Sequence, residues 1–359
     1  MAVRPAMKIV HVKGSYREMG QQVGEACRDE IQRMLAIYKA TFDTAQDVLR
    51  LSWDEAVLQG MKYYPYAQEW TPRFVEELEG MAESSGADFD DLIVLNCMEA
   101  ITSDALHLGC TSLAVSSERT LSDHVLVGHN EDWLPEDEEN TYLVHASPAD
   151  APPFLAITYG GLLPNIGFNA RGIAQTCDSV YPSDPRVGIP RIFVSRAVLA
   201  AERIADAIRS ALMRQRAAGY NHLIADRSGE LYNVEVSARR FATIYGGDGY
   251  LVHTNNYLTQ PMKQVEEKTE DLIGSRVRVN RAARLLRAHR QHTPDTLKTI
   301  LGDHVNYPSS ICSHTDPTDH PLDRQKTIAS LIMDLTALEM HVCWGNPCEG
   351  TYHTYRLEA

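Results

Sequence analysis

The chain has 359 residues and a formal net charge of −14. Affinity for nucleic acid rests on Lys and Arg neutralising phosphates, so this acid excess argues against phosphate-backbone binding and disfavours an anionic membrane surface. No stretch is apolar for long enough to span a bilayer, and the start lacks the charged, apolar and small-residue regions of a signal peptide, which together predict a cytoplasmic protein.

Residues 15 to about 109 read as helical. The capping box Ser15-x-x-Glu18 opens a helix carrying Met19, Val23, Ile31, Met34, Leu35 and Tyr38 at helical spacing. A second box, Ser52-x-x-Glu55, starts another helix. Thr71-Pro72 caps a third, with Phe74, Leu78 and Met81 on one face, which ends at Ser85-Gly86.

From Thr111 the pattern changes to short β-type runs at 111–115, 124–127, 154–158, 222–226, 231–236 and 251–254. Asp226-Arg227-Ser228-Gly229 joins two of them as a hairpin, and Asp334-Leu335-Thr336-Ala337 joins 327–333 to 339–342. Helical stretches at 277–288 and 293–301 interrupt this half. The sum is an α+β layered protein.

The change of periodicity falls at Leu108-Gly109-Cys110-Thr111. Glycine imposes no Cβ clash, so the backbone can bend for the Cys110 sulfur to reach the Gly109 carbonyl. An acyl shift to sulfur followed by hydrolysis then releases a new N-terminus. Its α-amino group, with an ordinary pKa near ~8, can accept the thiol proton. Nucleophile and base then sit on one residue. Such an ammonium needs a carboxylate, for which Asp132 in Gly128-His129-Asn130-Glu131-Asp132-Trp133 is the candidate. Asn255 in His253-Thr254-Asn255-Asn256 is the candidate oxyanion donor.

Taken together, these places resemble the isopenicillin N acyltransferase family of N-terminal-nucleophile (Ntn) enzymes, more distantly related to choloylglycine and penicillin V hydrolases. Further resembling segments are Gly14-Ser15-Tyr16-Arg17-Glu18-Met19-Gly20, Gly167-Phe168-Asn169 and Asn306-Tyr307-Pro308-Ser309-Ser310-Ile311-Cys312. The resemblance implies an αββα Ntn-hydrolase sandwich with a helical N-terminal segment. It also implies cleavage before Cys110 into fragments 1–109 and 110–359 that stay together as a heterodimer. It maps nucleophile, ammonium partner and oxyanion donor onto Cys110, Asp132 and Asn255; Thr111, Asn130 and His314 are further candidates for supporting or substrate-binding positions. Several relatives carry arginine where this chain has Ser313; His314 or a distant arginine such as Arg171 is expected to take over part of that role, or the substrate differs.

The expected activity is acyl transfer from an amide or thioester through an S-acyl-Cys110 intermediate. Water is the favoured acceptor and a small N-acylated amino acid, amine or β-lactam-type amide the substrate; the alternative is acyl-CoA-dependent N-acyl transfer. Rival classes are a papain-like hydrolase using His129 or His253 as base, and an inactive binding protein on the same scaffold. No cofactor and no metal are expected. Cys343 and Cys348 with His341 and His353 complete no recognised zinc pattern. His304, His314 and His320 with the aspartates of 316–323 read as a solvated loop, and Cys27 and Cys312 as packed small hydrophobes.

Overall fold

The computed structural model describes residues 5–102, 109–267 and 272–358. Leu108, one of the four residues at the change of periodicity, lies outside them. Both expected capping boxes form: the Ser15 and Ser52 hydroxyls accept from the N–H groups of Glu18 and Glu55, whose carboxylates accept in return. The first helical run is two helices, Tyr16–Ala26 and Arg28–Thr44, broken at Cys27. Thr71 does not cap. Its hydroxyl donates to Ala67 O in the preceding turn, and Pro72 alone supplies the start signal. That helix, Pro72–Ser85, ends as expected on Gly86 in the left-handed conformation (φ 74°), which glycine adopts without penalty.

Fourteen strands lie among the described residues: β1 (Ile9–Gly14), β2 (Gly109–Val115), β3 (Leu126–Trp133), β4 (Thr141–Pro148), β5 (Phe154–Tyr159), β6 (Ile166–Asn169), β7 (Ile173–Asp178), β8 (Tyr220–Asp226), β9 (Leu231–Val236), β10 (Phe241–Tyr245), β11 (Tyr250–His253), β12 (Lys326–Asp334), β13 (Glu339–Trp344) and β14 (Tyr352–Arg356). They form one sheet of order β1-β4-β5-β6-β7-β8-β9-β10 and another of order β11-β2-β3-β12-β13-β14. Both expected hairpins, β8–β9 and β12–β13, are present.

The two sheets face each other through β2 against β7 and β8, and through β11 against β9. Helices Arg191–Leu199 and Ile204–Ala211 cover the first sheet. Helices Ile273–Ala288 and Pro294–Leu301 cover the second. This is the αββα sandwich expected from the resemblance. The helical N-terminal segment packs beside it through an apolar cluster that joins Met19, Tyr38 and Leu78 to Tyr142, Val144 and Phe154.

One strand boundary differs in a way that matters. Gly128–Trp133, expected to follow a strand, is the strand itself. With both faces of the central sheet covered, β2 and β3 are buried along their whole length, so polar residues there extend the strand instead of ending it.

Candidate active site

Successive side chains of a strand point to opposite faces. In β2, Leu113 and Val115 pack against the helices covering the second sheet, while Ala114 joins the core between the sheets. Alternation therefore sends Cys110 and Ser112 between the sheets, and Gly109 and Thr111 toward the helix Ile273–Ala288. In β3, directly paired with Cys110, Glu131 takes the inner side with His129; Asn130 and Asp132 take the outer side.

On the inner side the Cys110 thiol donates to Glu131 Oε2 at 3.6 Å. Glu131 is held by Tyr159 Oη at 3.0 Å and by His129 Nε2 at 2.8 Å. The chain continues from His129 Nδ1 to Ser112 Oγ, 3.0 Å, and from Ser112 Oγ to Asp178 Oδ1, 2.8 Å. Burial raises the Cys110 thiol well above its ordinary value, and the carboxylates of Glu131, Asp178 and Asp132 raise it further against the opposing charge of Arg278. The thiol is therefore protonated at rest and needs an acceptor, and Glu131 is placed as one.

On the other side the Cys110 N–H donates to Asn255 Oδ1 at 2.9 Å. Asn255 stands just beyond β11, whose pairing with β2 brings it to this amide. Its Nδ2 donates to Ser179 O at 3.1 Å. Arg278, buried on the helix Ile273–Ala288, binds three groups at once: Cys110 O at 2.5 Å, Thr111 Oγ1 at 3.0 Å and Asn255 Oδ1 at 2.7 Å.

Asp132 is 1 % exposed, not the surface acid that a loop would make it. A β-bulge at Ile328 shifts the pairing of β12 with β3 and brings Thr327 opposite Asp132, where its hydroxyl donates to Oδ1 at 2.6 Å. Burial lifts the carboxyl to about 6, opposed by Arg278, whose Nη1 lies 3.9 Å from Oδ2, and by Thr327. The carboxylate also sits against Gly109: a Cβ there would stand 2.7 Å from Gln325 Oε1 and 3.3 Å from Asp132 Oδ2. A side chain at this position would have to displace the Gln325 amide.

A cleft of about 150 Å³ opens here, lined among others by Gly109, Asp132, Asn255, Arg278, Ser313 and Gln325. A larger open groove of about 890 Å³ near Glu18 and Glu83 has no cysteine or histidine in its wall, and the chemistry favours the smaller cleft. Thr111 stands at the cleft through Arg278. Asn130 is a brace, its Nδ2 donating to Leu301 O and Ile311 O. His314 faces away into a group with His304, Cys312 and Cys348. Arg171 pairs with Glu202 on the surface. The arginine that does reach the junction is Arg278, which sequence reasoning missed along with Glu131. A ring nitrogen of His129 lies within 4.8 Å of the Cys110 sulfur, with Glu131 hydrogen-bonded to both, and His253 lies between Asp178 and Glu235.

The family model of acyl-coenzyme A:6-aminopenicillanic acid acyl-transferase matches residues 119–349, more than half of the chain. The chain belongs to that family. It is 23% identical over 350 residues to the acyl-coenzyme A:6-aminopenicillanic-acid-acyltransferase 40 kDa form of Emericella nidulans, covering 94% of this chain and 93% of the relative. It is likewise 23% identical over 380 residues to the beta-alanyl-dopamine/carcinine hydrolase of Drosophila melanogaster, covering 98% and 96%. Among solved structures it is similar to a conjugated bile acid hydrolase from Clostridium perfringens (TM-score 0.46, 14% identity, 69% of this chain and 97% of that one). A penicillin V acylase from Agrobacterium tumefaciens gives 0.44, 14%, 66% and 83%. Family membership makes the chain an enzyme of acyl chemistry on acylated substrates.

Proposed function

We propose that this protein is a self-processing Ntn amide hydrolase acting on a small N-acylated compound. The observation that carries the reading is the set of partners around one residue: Asn255 Oδ1 on the Cys110 N–H, Glu131 beside its sulfur, and Asp132 against Gly109. In processing, Cys110 Sγ attacks the Gly109 carbonyl while its proton passes to Glu131. The Gly109–Cys110 C–N bond breaks, the amine takes up a proton, and water hydrolyses the thioester to a Gly109 carboxylate. The new α-amine then serves as the base for turnover, with Asp132 and Asn255 Oδ1 receiving its charge and its N–H. Asn255 Nδ2 becomes the oxyanion donor once the amide turns from Ser179 O toward substrate.

The name of the fly relative supports water as acceptor. The name of the fungal relative supports acyl-CoA as donor and an amine as acceptor, the second reading. Intact-mass measurement on purified protein is expected to give two copurifying fragments split before Cys110. Cys110→Ala should remain one chain and lose turnover by on the order of a millionfold. A single-chain wild type with full amidase activity would overturn self-processing; processed protein without any amidase or acyl-transfer activity would favour a binding protein.

A further inference from the structure

Three segments remote from Cys110 in sequence bring four ligand-type atoms together beside the cleft. His304 follows the helix Pro294–Leu301, Cys312 and His314 precede β12, and Cys348 lies in the turn between β13 and β14. His304 Nε2 is 3.2 Å from His314 Nε2, which is 3.5 Å from Cys312 Sγ and 3.4 Å from Cys348 Sγ; the two sulfurs are 3.5 Å apart. All four atoms lie within 4.8 Å of one another. Zinc–sulfur bonds near 2.3 Å and zinc–nitrogen bonds near 2.05 Å at tetrahedral angles put two nitrogens about 3.3 Å apart, nitrogen and sulfur about 3.5 Å, and two sulfurs about 3.8 Å. Four of the six separations lie within about 0.3 Å of that pattern, and the two from His304 to the sulfurs are no more than 4.8 Å.

We propose that His304, Cys312, His314 and Cys348 form a tetrahedral Cys₂His₂ site for Zn²⁺. Two thiolates and two neutral imidazoles balance the ion's charge, and binding releases the two thiol protons to solvent. Soft sulfur with imidazole in a tetrahedral set selects zinc over the hard cations. Four protein ligands leave no open position, so the ion is structural and not a catalyst. An outer support is present: Asn346 Nδ2 donates to Cys312 Sγ at 3.4 Å and to Ser313 O at 2.6 Å. A disulfide is the competing use of the two sulfurs, but it needs an S–S separation near ~2.05 Å and gives the paired imidazoles no role. Because Ser313 sits between two ligands and lines the cleft, the ion would fasten three segments behind the substrate wall.

The test uses the full chain, without a polyhistidine tag, kept reduced and stripped by a chelator. Titration with Co²⁺ alone should give one ion per chain, with the visible bands of a tetrahedral site and a thiolate-to-cobalt charge-transfer band that Zn²⁺ abolishes. Cys110→Ala should keep both bands. Cys348→Ser should weaken zinc at least about a hundredfold, since even loss of an outer hydrogen bond to a ligand costs ten- to a hundredfold. His304→Ala, at an exposed position, should lose zinc as strongly with an unchanged circular dichroism spectrum, which separates ligand loss from misfolding. Absence of the thiolate band from the reduced wild type, its full retention in Cys348→Ser and His304→Ala, or a native mass lighter by the two hydrogens of a Cys312–Cys348 disulfide would each overturn the site.

Discussion

Cys110 and Cys312 are both buried thiols near one cleft, yet their neighbours differ in kind. Cys110 lies among carboxylates, Glu131 within reach of its sulfur and Asp178 and Asp132 beyond, with Arg278 as the countercharge. Cys312 lies against an imidazole and a second thiol. Around Cys110 negative charge keeps the proton on sulfur, and the nearest of those charges, Glu131, accepts the thiol's hydrogen bond. Around Cys312 the same element of chemistry, a sulfur with lone pairs, meets other soft donors arranged around a common centre. On the readings proposed above, partners rather than residue type separate the nucleophile Cys110 from the ligand Cys312.

The largest effect expected of a change in those partners is at Glu131. Glu131→Gln keeps the side chain's shape but cannot take a proton, so cleavage of the precursor should slow by roughly a hundredfold to ten-thousandfold. The same change removes a negative neighbour and should ease ionisation of the thiol. The two consequences oppose each other: faster cleavage would mean that Glu131 only represses the thiol. A time course of intact mass on freshly made protein reads the difference, and zinc content should not move.

Asn255→Ala comes next. Loss of one oxyanion donor costs about a hundredfold to a thousandfold in rate. Because that bond strengthens mainly in the transition state, kcat should fall more than KM rises. Single-turnover acylation of fully processed protein is the measurement, and acylation at the wild-type rate would return Asn255 to a strand-end turn residue.

Much of this was readable before any coordinates. The capping boxes, the β8–β9 and β12–β13 hairpins and the change of periodicity at Gly109-Cys110 follow from local pattern, whereas Asp132 and Asn255, weak signals taken singly, are singled out through the family resemblance. What escaped has physical reasons. Ending the strand at Val127 hid the alternation that puts Glu131 and His129 on the Cys110 side and Asn130 and Asp132 on the other. Burial on both faces of the central sheet had erased the apolar–polar alternation that usually marks a strand. Arg278 is one of several arginines on its helix, and only the packing of that helix on β2 selects it. Cys348 and His304 are separated from Cys312 by a hairpin and a loop, so no short spacing links them. Scattered His and Cys read as unrelated until the fold closes.

The smallest and most discriminating effect concerns pH. Asp132 in the uncleaved chain has its carboxyl raised to about 6 from an ordinary 3.8, chiefly by burial, so it is protonated below that pH and ionised above it. A group raised in the folded state favours folding in its protonated form. Its stabilising contribution is complete below the unfolded value and is lost as pH rises through about 6. If ionised Asp132 supports the Gly109 junction during cleavage, that form is held at some cost to stability, and processing should fall about tenfold for each pH unit below 6. The proposed cleavage would create an ammonium beside the same carboxylate, and an opposite charge favours ionisation. The acid limb of turnover should therefore lie at lower pH than the acid limb of processing, although one residue governs both. Parallel profiles of precursor cleavage and of turnover by mature protein test this. Coincident limbs would mean that the new amine does not meet Asp132, and a limb unchanged in Asp132→Asn would assign it to another group.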